Sequence, residues 1–79
     1  MTSSQHVYEI RPRKDRRGFD LIGDRLPLGL LRFEGPDAIV DAVIYAKFYS
    51  RLHPAIIRVF DESGAVVGTH ESAGRFRET

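Results

Sequence analysis

Pro36-Asp37-Ala38-Ile39-Val40-Asp41-Ala42-Val43-Ile44-Tyr45-Ala46-Lys47-Phe48-Tyr49-Ser50-Arg51-Leu52 is the stretch that decides the fold, because it reads as a helix with two apolar stripes. At about 100° per residue, Ile39, Ala42, Val43, Ala46 and Tyr49 fall on one side. Val40, Ile44, Phe48 and Leu52 run down nearly the opposite side. A helix on a small open sheet needs one apolar face, so the second row calls for a cover. The two stripes differ in chemistry. Ala42 and Ala46 are small enough to let a backbone lie close to a sheet, which assigns their side to the chain's own core. The second row keeps a four-residue spacing and is interleaved with Asp37, Asp41, Lys47 and Arg51, the mixture of apolar anchors and charged rim found at interfaces. Val40, Ile44, Phe48 and Leu52 are therefore the expected contact with a second copy of the chain. The alternative is that the third strand or the C-terminal tail folds over them.

Signals on either side bound this helix. Pro36 suits a first helical turn and Asp37 complements the positive end of the helix dipole. Lys47 and Arg51 suit the negative end, and His53-Pro54 stops the helix. Upstream, His6-Val7-Tyr8-Glu9-Ile10-Arg11 reads as a strand closed by Pro12, and Phe19-Asp20-Leu21-Ile22 as its hairpin partner. A third strand firms up at Leu30-Leu31-Arg32-Phe33, after Pro27 and Gly29 have weakened its start. Downstream, residues 55–60 form the clearest strand, Asp61-Glu62-Ser63-Gly64 a turn, and residues 65–69 a final hairpin partner. Leu30-Leu31, Ile56-Ile57 and Val66-Val67 put apolar groups on both sides of their strands. The expected fold is α+β, in the order β-β-β-α-β-β, with a curved, mainly antiparallel sheet and one helix on a face. Residues 6–71 make one domain between a flexible start (1–5) and a loose tail (72–79).

Composition agrees with self-association. Seventy-nine residues without cysteine make a core worth only about 3–5 kcal/mol, with no disulfide or thiolate metal site to reinforce it. Oligomerisation is the remaining compensation. The apolar runs are too short for a membrane span, and the first residues lack the features of a signal peptide. The expected location is the cytoplasm.

The net charge of +1 excludes a chain-wide polycation, but residues 1–32 carry seven Lys/Arg against four Asp/Glu. The excess gathers in Arg11, Arg13, Lys14, Arg16 and Arg17, candidate phosphate contacts on a hairpin tip. The competing reading is a solvated hairpin end that protects a sheet edge. Tyr8 and Phe19 flank the loop but are better spent in the core. His6, His53 and His70 lack metal-ligand spacing, and His70-Glu71-Ser72 cannot converge as a triad. Asp61 is expected to bond nearby turn amides. No phosphate-cradling glycine motif is present. The expectation is accordingly no enzyme, no cofactor and no metal.

Phe33, the alanines at 38, 42 and 46, the strand from Ile56 to Phe60, the turn from Asp61 to Gly64 and Val66-Val67 together resemble a small bacterial family, domain of unknown function 2188. That family runs a polar hairpin, a Phe before an Ala-rich helix, a strand, an Asp-x-x-Gly-type turn and a last strand. Tyr45, Phe48 and Tyr49 make the present helix bulkier, and Leu26-Pro27-Leu28-Gly29 departs from the pattern. The resemblance implies the same α+β architecture and supplies no catalytic residues. Three strands followed by a helix are also similar to the half-RNase-H module of HicB-type antitoxins, without that module's Pro-Gly-Cys-type segment. The expected function is a non-enzymatic interaction or structural module acting as a homodimer. The alternative is a nucleic-acid-binding or regulatory, antitoxin-like protein using the loop 11–17.

Overall fold

The computed structural model describes residues 5–74. Its elements are β1 (His6–Pro12), β2 (Phe19–Gly23), β3 (Leu30–Phe33), α1 (Ala38–Tyr49), β4 (Ala55–Phe60) and β5 (Val66–Ser72). They form one five-stranded sheet in the order β3-β2-β1-β4-β5 with α1 on a face. The fold is α+β, and its sheet is mixed. β1–β2, β2–β3 and β4–β5 are antiparallel, whereas β1 and β4 pair in parallel, with Tyr8 opposite Ile57 and Ile10 opposite Val59. Two successive hairpins leave β3 running in the same direction as β1. The helix then returns the chain to the end where it began, so β4 must enter parallel to β1.

Side chains alternate across the strands, as the pleat requires. Tyr8 and Ile10 of β1, Leu21 of β2 and Ala55, Ile57 and Val59 of β4 point to the helix and are buried. Ala42 and Ala46 meet them with no exposed surface, and Val43 closes the layer. Phe19, Leu31, Phe33, Ile39 and Tyr45 pack around this core, and Leu26 of the β2–β3 loop enters it. Tyr49, expected in the core stripe, remains 38% exposed. It stacks on Tyr45, which meets the edge of Phe33, so this flank of the helix ends in an aromatic ladder near β3.

The helix is shorter at both ends than its sequence pattern. Asp37 and Ser50 have non-helical backbone angles and flank it as caps. Beyond Ser50 the chain tightens into turns, with Arg51 N–H donating to the Phe48 carbonyl and His53 N–H to that of Ser50. β5 runs three residues past Thr69 because β4 offers ladder partners as far as Ala55, opposite Ser72.

Gly18 and Gly23 permit close approaches within the sheet. A Cβ on Gly18, which sits at φ +126°, would lie 2.3 Å from the Phe33 carbonyl oxygen. One on Gly23 would lie 2.7 Å from the Tyr8 ring, so the bare backbone of β2 makes room for that ring beneath the helix.

Candidate interaction surface

Val40, Ile44, Phe48 and Leu52 are 56, 60, 62 and 64% exposed, on the side of α1 away from the sheet. No described element covers them: β3 packs beneath the helix, and of the C-terminal tail residues 75–79 lie outside the described region. Leu52 is equally exposed but falls past the last helical turn. The Arg51 guanidinium lies over the Phe48 ring, 4.7 Å from its centroid, and donates to the Phe48 carbonyl. The sheet's other face carries three apolar pairs, Ile22–Leu30, Val7–Ile56 and Phe60–Val66, set among charged side chains. The helix row is continuous, as a docking surface requires.

The basic loop folds onto its own acids. Arg11 pairs with Glu9 at 2.8 Å and covers the Phe60 ring at 3.9 Å. Arg13 pairs with Asp20 at 2.7 Å and reaches Asp15 at 3.4 Å, while Arg16 lies 3.8 Å from Glu62. The hydrogen bond to Asp20 raises Arg13 above its ordinary pKa, and the Arg17 amide lowers Asp15 below the usual carboxylate value. Lys14 and Arg17 have no ion pair among the described residues. A cleft of about 420 Å³ separates Arg11, Arg13, Lys14 and Arg16 from Asp61 and Glu62, so carboxylates face the cations across it. With two unpaired cations in this loop among the described residues, double-stranded DNA binding through one copy of the loop should show a salt slope no steeper than about −2. Titration at two salt concentrations checks this; a slope near −5 would mean that the internal pairs open to phosphate.

Asp61 does what its turn position predicts. Its carboxylate accepts from the Ser63 amide and hydroxyl and from the Ala65 amide. The Ser63 hydroxyl is the main cause of its lowered pKa.

A buried polar chain between helix and sheet has no counterpart in the sequence reading. Ser50 Oγ lies 2.5 Å from both His6 Nδ1 and the Tyr8 hydroxyl. Ser50 and Tyr8 are wholly buried, and His6 is 8% exposed. His53 stacks on His6 with centroids 4.5 Å apart. One proton arrangement satisfies all three groups: Tyr8 O–H donates to Ser50, and Ser50 O–H donates to the unprotonated Nδ1 of a neutral His6. Burial, with Arg25 and His53 nearby, lowers the His6 pKa and favours that neutral form, while burial raises Tyr8 and keeps its proton on. A hydroxyl with no exposure cannot attack a substrate, so the Ser–His contact pins the helix end to β1.

The His6 shift fixes a pH dependence. Below about pH 6.5 the unfolded chain takes up a proton that the folded chain still refuses. Stability should therefore be full above that pH and fall as pH drops towards the lowered native pKa. Urea midpoints across that range check the sign. No dependence there, or a rise on acidification, would contradict a neutral buried His6.

No family model, no curated protein and no solved structure matches this chain. The functional reading consequently rests on the surface itself. Among the described residues no group of three potential metal ligands comes together, and no helix is long and apolar enough to cross a membrane.

Proposed function

We propose that this chain is a non-enzymatic interaction module that works as a homodimer through the outer face of α1. The observation that carries the reading is the uncovered row Val40, Ile44, Phe48 and Leu52. Three large apolar side chains aligned along one helix, with Leu52 just past its end and all four more than half exposed, gain more from association than the same residues scattered would. The small core of a 79-residue chain supplies a second reason, since burying this row adds apolar contact that one copy cannot make alone. The antitoxin-like alternative depends on the loop 11–17, where three of the five cations are already paired.

A standard interface buries about 800 Å² per partner. One short helix with its flanking charges covers only part of such a contact, which places the dimer in the micromolar range. Sedimentation equilibrium of the full chain is expected to show a monomer–dimer equilibrium over that range. A monomer persisting at high micromolar concentration would overturn the reading.

A further inference from the structure

The outer row of α1 has an internal symmetry that specifies how two copies meet. We infer that the helices pair antiparallel about a two-fold axis at Ile44, resting on the homodimer reading above. Its acids, Asp37 and Asp41, lie at the N-terminal end and its bases, Lys47 and Arg51, at the C-terminal end. In an antiparallel pair centred on Ile44, Val40 comes level with the partner's Phe48 and Ile44 with the partner's Ile44. Asp41 comes level with the partner's Lys47, and Asp37 with the partner's Arg51. The three apolar levels within the helix meet apolar levels, Leu52 comes level with the partner's Pro36 beyond both helices, and each acidic end meets a basic end. A parallel pair sets acid beside acid and base beside base, which is repulsive.

The spacing points the same way. Residues four apart form a ridge inclined to the helix axis, and two such ridges interdigitate when the axes cross at about −50°. An isologous contact of this kind closes on itself and leaves no free surface for further copies. The antiparallel arrangement also sets the positive end of each helix dipole beside the negative end of the other. The assembly has four layers, with two sheets outside and two helices within.

The absence of native cysteine makes the register directly readable. All the positions needed are exposed, so cysteine there spares the core. Ile44→Cys is expected to form a disulfide-linked dimer under mild oxidation. Val40→Cys and Phe48→Cys should each cross-link poorly alone, because like positions lie roughly 12 Å apart along the axis, beyond the reach of a disulfide. Mixed together they should give several-fold more cross-linked dimer than either alone. Efficient self-linking of Val40→Cys, in a chain that sediments as a dimer, would overturn the antiparallel register and leave the homodimer standing. A wild-type monomer would remove both. As an independent arm, Asp37→Lys with Asp41→Lys should weaken self-association by about tenfold or more. Mixing that variant with Lys47→Glu and Arg51→Glu should restore pairing; self-association unchanged by either charge reversal would also count against the proposal.

Discussion

Ser50→Ala is expected to destabilise the folded chain by roughly 2–6 kcal/mol, from about 1–3 kcal/mol for each of two buried groups left without a partner. The side chain is small, and the cavity it leaves accounts for little of this. The cost arises because Ser50 Oγ is the shared partner of His6 Nδ1 and the Tyr8 hydroxyl, and neither Ser50 nor Tyr8 has exposed surface where solvent could take its place. With a core worth only about 3–5 kcal/mol at this length, one hydroxyl decides a large part of the stability. Tyr8→Phe should cost less, about 1 kcal/mol, because Ser50 can still donate to His6. In the double variant the costs should add to less than their sum, since the groups form one network. Denaturant titration at low protein concentration, where association does not contribute, measures all three. A Ser50→Ala midpoint indistinguishable from wild type would show that the chain of hydroxyls contributes nothing to stability.

Why this network was invisible in the sequence is a matter of distance along the chain. Ser50 is 44 residues from His6 and 42 from Tyr8. The only local hint is that His6 and Tyr8, two apart on a strand, share a face, and a serine at a helix end says nothing of which strand it will meet. By contrast β3 and β4 were legible to the residue, because alternation, Pro54 and the Asp61 turn are all local signals. The parallel β1–β4 pair was not, since strand order is set by where the helix returns the chain. Tyr49 was misplaced for a related reason. Helical periodicity gives an angle around the axis, but the width of sheet beneath that angle decides burial.

The internal pairing of the basic loop is a local feature of its sequence. Glu9 and Arg11 are two apart on a strand and share a face, and Asp15 and Asp20 lie on or beside the same hairpin. Charges of opposite sign that close tend to pair first and bind ligands second. The helix row is the opposite case. Its exposure follows from periodicity alone, and once Ala42 and Ala46 face the sheet, Val40, Ile44 and Phe48 must face outward.

Phe48→Ala is expected to weaken self-association by about 2 kcal/mol or more, roughly a 30-fold rise in Kd. The size follows from position and shape. Phe48 is the one aromatic in the outer row, it lies one turn from Ile44, and it carries the Arg51 guanidinium on its ring. Truncation removes the largest apolar surface and also the support that holds Arg51 against the row. Because Phe48 is mostly exposed in the single chain, its loss should change folding stability by no more than about 0.5 kcal/mol, which separates association from unfolding. Leu52→Ala should have a smaller effect, as Leu52 lies beyond the helix at the end of the row. Sedimentation equilibrium over a micromolar series distinguishes these outcomes. If Phe48→Ala dimerises as wild type does while keeping its urea midpoint, the contact lies elsewhere, and the outer edge of β5, which no described strand pairs, becomes the next surface to test.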